Sequence, residues 1–205
     1  HRQLGRHADA RAWDDQARSH AGGTAEAEFD AALGLAADAV GLGDSDTAEH
    51  ELSVATELAT GRSDWWRQRV RLEWVRAELA MLTRRPQHAV ERAAAAVALA
   101  ESAQAPRHVA KGTLFTGVAL LECGDLESAA ASLRRAAWLA ESLGAVPLVW
   151  PARALLGALV ADSSPDEGAK ALDSARAVVR QIAADLPEPY ASDWLARPDI
   201  EQLLS

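Results

Sequence analysis

Apolar and polar residues alternate along this chain with helical periodicity, and the alternation itself recurs. Phe29, Leu33, Ala36 and Val40 stand three and four residues apart, which predicts an amphipathic helix over about 25–42 that stops at Gly41-Leu42-Gly43. Asp46 and Glu49 form a capping pair for a partner helix over about 47–60. The same reading predicts helices over about 64–83 and 86–101, then 107–122 and 126–142, then 147–161 and 165–184. Ser164-Pro165-Asp166-Glu167 supplies a cap residue, a proline at the first helical position and a glutamate three residues after the cap.

Small residues fall into register between these pairs. Ala36, Ala77, Gly117 and Gly157 precede the turns Gly43-Asp44, Arg85-Pro86, Gly124-Asp125 and Ser164-Pro165. Ala48, Ala89, Ala129 and Ala169 follow them, and then Ala55, Ala96 and Ala136. A period of 40 or 41 residues predicts stacked helix pairs, none of which can bury its apolar face alone. The expected fold is all-α, a right-handed α-solenoid. It is read as a single domain over 1–205, with repeats at 24–61, 64–104, 106–144 and 146–185. Residues 1–21 are a partial repeat with one helix over 2–20, as if the chain had been cut within an earlier repeat, and 186–205 form a C-terminal cap. Trp65 and Trp66 are expected between repeats, and Trp13, Trp138, Trp150 and Trp194 are assigned mainly to packing.

Composition narrows the function classes. Alanine supplies nearly a quarter of the residues and β-branched residues are scarce, which favours helix over strand. A single cysteine, Cys123, forms no internal disulfide, and a cytoplasmic location is expected. The longest apolar run, Ala93 to Ala100, is far short of the roughly 18 residues of a membrane span.

The formal net charge is −9, unevenly spread. Residues 1–60 hold 4 basic and 12 acidic side chains, residues 61–120 hold 10 and 5, and residues 121–205 hold 7 and 13. An acidic chain with one basic island lacks the broad basic face of a general nucleic-acid binder.

The repeat register resembles the tetratricopeptide repeat family. The residues that carry it are Ala36, Ala77, Gly117 and Gly157 in the first helices and Ala48, Ala89, Ala129 and Ala169 in the second. Leu52, Ala93 and Leu133 with Ala55, Ala96 and Ala136 continue it. The units are longer than that family's usual repeat, and the fourth departs from the pattern at Asp173 and Arg176. Long units of this kind are similar to the repeat regions of bacterial maltose-regulator-type transcriptional regulators and actinobacterial signalling ATPases.

The resemblance implies a concave groove lined by first helices. Its ligand-facing positions correspond to Arg71, Trp74, Glu78 and Met81, and to Lys111, Leu114, Val118 and Leu121. Arg67 and Arg107 stand one turn earlier. Guanidinium forks beside an indole suit a carboxylate or phosphate. Arg67, Arg71, Trp74, Glu78, Arg107, Lys111 and Leu114 are therefore the candidate partner-binding residues. Glu26 and Asp30 at the equivalent places of the first repeat change the sign of the groove.

No phosphate loop, nucleophile elbow, His-x-x-x-His or Cys-x-x-Cys pair is present. The six histidines are scattered and read as surface or local packing residues. No catalytic residue, metal or cofactor is expected. The sequence reads as a non-catalytic protein–protein interaction scaffold within a larger bacterial signalling or regulatory protein. The alternative is a ligand- or peptide-sensing domain with a basic groove. A protein or peptide partner with an acidic segment is expected, without nucleic acid or membrane, and self-association through an uncovered end is compatible with the repeat.

Overall fold

The computed structural model describes residues 1–205, and apart from one 3-10 turn at Arg2–Leu4 every regular element is an α-helix. The first is α1 (His7–His20). Four antiparallel pairs follow: α2 (Ala25–Leu42) with α3 (Ser45–Ala59), α4 (Trp66–Leu82) with α5 (Pro86–Ser102), α6 (Pro106–Cys123) with α7 (Leu126–Ser142), and α8 (Val146–Val160) with α9 (Pro165–Asp185). Two short helices, α10 (Tyr190–Leu195) and α11 (Pro198–Leu204), lie against α9. No helix is long and apolar enough to cross a membrane.

Successive pairs stack so that α2, α4, α6 and α8 touch one another as an inner layer, backed by α3, α5, α7 and α9. The fold is an all-α right-handed solenoid. Alanine is what lets the layers approach. Ala48 and Ala55, Ala89, Ala93, Ala96 and Ala100, and Ala129, Ala136, Ala137 and Ala140 are all buried, so helix backbones meet over a single methyl group. Gly117 goes further, because a methyl placed there would stand 2.8 Å from Leu133 Cδ2.

The turns are made by left-handed residues that free the chain to reverse. Gly43 and Gly124 close α2 and α6 at φ 77° and 79°. Arg84 and Gln104 take the same region without being glycine, at φ 57° and 53°.

Three local expectations need correction. The cap of α3 is Asp44, whose carboxylate accepts from Thr47 N–H at 3.1 Å, so the Asp46–Glu49 pair lies inside the helix. The Ser164 side chain makes no cap bond, although the helix does begin at Pro165. Residues 2–20 are not one helix, since Gly5 at φ 75° separates the Arg2–Leu4 turn from α1.

That break turns the chain's first residues toward the other end of the solenoid. Leu4 packs with Trp150, Trp194, Ile200 and Leu203, the core of the C-terminal cap. Arg6 pairs with Asp193, and Arg197 donates to the Gln3 carbonyl oxygen. Residues at the two extremes of the stack thus touch across its inner side.

Candidate functional site

The inner helices, the Arg2–Leu4 turn and the cap enclose two adjoining cavities. One, of about 550 Å³, is lined by Arg2 and His7, by Leu33 and Gly34 of α2, by Arg71, Trp74 and Glu78 of α4, and by His108 and Lys111 of α6. The other, of about 960 Å³, is lined by Trp13, Pro147, Trp150, Pro151, Tyr190, Trp194 and Arg197. Arg2, Gln3 and Lys111 line both.

Aromatic rings order the first cavity. His108 stacks on Trp74 with centroids 5.4 Å apart and an angle of 14°, and meets Trp66 edge-on at 5.4 Å. Lys111 Nζ lies 4.3 Å from the Trp74 centroid and 5.5 Å from that of Phe115. Trp74 is 8% exposed, and its indole N–H is buried without an acceptor. A buried polar group left unpaired carries a desolvation cost, about 1–3 kcal/mol, that packing alone does not explain.

Most of the cavity's charges are already partnered. Arg71 Nη1 donates to Asp30 Oδ1 at 2.5 Å, and Gln68 Nε2 donates to Glu26 Oε1 at 2.7 Å. The acidic residues expected to reverse the sign of the groove instead bind the next repeat, and much of the basic character is neutralised. Arg2 forks onto the fully buried Asp38 at 2.7 and 3.1 Å and also pairs with Asp14. Gly34 makes room for that contact, since a methyl there would collide with both Asp14 and Arg2.

Two charges of opposite sign remain without a hydrogen bond or ion pair, Glu78 and Lys111. Burial pushes the Glu78 carboxyl up, opposed by Lys111, His7 and Arg2. Burial likewise holds Lys111 below the usual lysine range, opposed by Glu78 and reinforced by Arg71. His108 is pushed down by burial and then by Arg67, Lys111 and Arg71. Each of these groups is lifted from bulk water without a full partner, the condition under which a ligand's polar atoms gain most.

The structure thus gathers Arg71, Trp74, Glu78 and Lys111 on one cavity and leaves the other three candidates elsewhere. Arg67 lies 4.8 Å over Trp66 and is exposed. Arg107 is exposed and donates to the Leu143 carbonyl at 3.3 Å. Leu114 is buried among Leu133, Ala137 and Leu156.

Arg2, His7 and His108 are cavity residues that spacing did not reveal; the nearness of His108 to Lys111 by one helical turn was the available signal. Trp150 and Trp194 pack edge to face at 5.9 Å, and Trp65 meets Phe29 at 5.6 Å. Trp13 and Trp138 do not pack as expected, being 61% and 64% exposed. No group of three or more His, Cys, Asp or Glu side chains comes together as a metal site.

No family model and no curated protein sequence matches the chain. Solved structures do. The chain is similar to a Rap protein complexed with competence and sporulation factor, at TM-score 0.69 and 16% identity, and to aspartyl phosphate phosphatase F from Bacillus subtilis, at 0.70 and 14%. Each match covers 86% of this chain and 47% of the other, so the chain spans about half the length of those proteins. It is also similar to BtubC (BKLC) from P. vanneervenii, at TM-score 0.62 and 16% identity, over 98% of this chain and 82% of that one. At these identities the likeness is one of fold, a helical repeat.

Proposed function

We propose that the chain is a non-catalytic protein-binding module whose inner cavity takes a peptide segment bearing a carboxylate. The observation that carries the reading is the pair of unpartnered, opposite charges, Lys111 and Glu78, beside the unpaired Trp74 indole N–H. A ligand carboxylate satisfies Lys111, while a backbone N–H satisfies Glu78. The stacked Trp74 and His108 rings give an apolar, oriented wall. The bound factor in the similarly folded Rap protein is consistent with this use of the fold.

On this reading the module belongs to a larger bacterial signalling or regulatory protein in the cytoplasm. A sensor, in which filling the cavity biases an attached effector, is the second reading. It is favoured by the bond of Arg197 to the Gln3 carbonyl, because both residues line the cavity that adjoins the first.

The test is a fluorescence titration with acidic peptides. Saturable quenching that weakens at least tenfold with Lys111→Met, and weakens with salt, is expected. Full affinity in the Lys111→Met variant rejects the cavity.

A further inference from the structure

The surplus basic charge of the chain lies outside the inner cavity. A valley of about 700 Å³ runs between α3, α4 and α5, lined by Arg62, Arg69, Arg76 and Arg92 against one carboxylate, Glu73. Four guanidinium groups facing one acid leave three positive charges together in a protein whose net charge is −9. Arg69 and Arg76 stand seven residues apart on α4 and Arg92 lines the valley from α5, so both helices turn arginine to this side.

The arrangement is held in place. Glu73, 9% exposed, takes Arg76 Nη1 at 2.5 Å on one oxygen and Arg92 Nη1 at 3.4 Å on the other. Arg76 Nη2 also donates to Thr56 Oγ1 at 2.8 Å. Arg62 is fixed by its Nε bond to the Leu58 carbonyl at 3.0 Å and by stacking 4.5 Å over Trp65. These contacts fix three guanidinium groups and leave Nη1 and Nη2 of Arg62 and Nε and Nη2 of Arg92 without partners in the chain. Arg69 is exposed and has no hydrogen bond or ion pair at all. In the adjoining groove the nearby acids are Glu49, which Arg85 already pairs with at 3.4 Å, and Glu57.

We propose that this valley binds a phosphoryl group carried by a small molecule. One guanidinium fork is enough for a carboxylate. Three fixed or free forks approaching from α4, α5 and the segment before α4 instead match an oxyanion with several acceptor oxygens and more than one charge. Ala59, Leu72, Ala95, Ala98 and Leu99 line the same valley and offer an apolar floor to the rest of the molecule. The inner cavity plays no part in this site, as none of its charged residues lines the valley.

Isothermal titration of the full chain with inorganic pyrophosphate, ADP and citrate tests the proposal. Saturable binding of pyrophosphate or ADP is expected, weakened at least tenfold in an Arg69→Ala/Arg92→Ala variant and unchanged in Lys111→Met. Tighter ADP than pyrophosphate assigns the ligand to nucleotides, and the reverse order assigns it to free phosphoanions. Arg69 has no partner to lose, and Glu73 keeps Arg76, so the double variant retains its fold, which circular dichroism checks. Absence of saturable binding by both phosphates overturns the proposal. So does undiminished binding in the double variant, binding lost in Lys111→Met, or citrate bound as well as pyrophosphate.

Discussion

Lys111 holds its ammonium group 4.3 Å from the Trp74 ring centroid, and the carboxylate that most strongly opposes its loss of charge, Glu78, makes no ion pair with it. A cation over an indole face keeps part of the stabilisation that water would give it, about 0.5–2 kcal/mol.

Glu78 and Lys111 therefore weaken the fold at neutral pH. The Glu78 carboxyl sits above its ordinary 4.5, so the unfolded chain releases that proton first and stability falls as pH rises from about 4.5 to the folded value. Lys111 sits below its ordinary 10.5, so stability is lost as pH falls from about 10.5 to its folded value. The double variant Glu78→Gln/Lys111→Met is expected to be as stable as the parent or more so, by up to about 4 kcal/mol. On the proposed function it is also expected to lose affinity for an acidic peptide. A denaturant melt that shows clear destabilisation contradicts this.

His108 gives an acid-side signature. Its pKa is lowered, so below about pH 6.5 the unfolded chain takes up the proton first and stability falls on acidification. Glu78 works in the opposite direction over part of the same range. The contribution of His108 is therefore read as the difference between parent and His108→Gln, which is expected to lose less stability between pH 7 and 5. Parallel curves for the two proteins argue against it.

Two glycines with similar places in the repeat respond differently. A methyl at Gly117 meets the fully buried Leu133 side chain, 2.8 Å from Cδ2 and 2.9 Å from Cγ, so Leu133 must shift and offsets the gain of about 1 kcal/mol in helix propensity; Gly117→Ala is expected to cost less than Gly157→Ala. A methyl at Gly157 meets backbone, the Gly168 carbonyl at 2.9 Å and Leu172 N at 3.0 Å. Gly157→Ala is expected to cost about 1–3 kcal/mol, as is Gly117→Leu. Thermal melts rank the three, and an equal effect of the two alanine variants is the contrary result.

The Arg6–Asp193 ion pair in the contact between the two extremes of the stack contributes little stability, because partly exposed ion pairs are worth about 1 kcal/mol or less. In Arg6→Ala/Arg197→Ala the melting temperature is expected to drop only slightly. Amide exchange in α1 and α10 is expected to quicken, since those elements lose the links to Asp193 and Gln3. Unchanged exchange there shows that the Leu4 packing alone holds the contact.

Local rules made the helices legible. The expected span 25–42 is α2 itself, 86–101 differs from α5 by one residue at its end, and 107–122 differs from α6 by one residue at each end. Periodicity and turn residues act over a few positions, and the small-residue register carries one repeat onto the next. The site was readable only in part, because its charges are decided between repeats. Asp30 and Arg71 are 41 residues apart, one full repeat, so inspection of either helix alone leaves both free. The Arg2–Asp38 fork depends on a reversal at Gly5 that no apolar pattern announces. Trp13 and Trp138 were misplaced because hydrophobicity fixes which side chains gain from burial, but not whether a neighbouring repeat is there to cover them.

The bond from Arg197 to the Gln3 carbonyl links the two margins of the coil. An open groove exchanges its occupant from the side, at a rate set by the occupant's own contacts. On the proposed function, margins linked in this way would make the coil a sleeve, and a bound peptide would leave lengthwise or when the link opens. Residence time then follows how often the sleeve opens. Two ligands of quite different affinity can leave at the same rate.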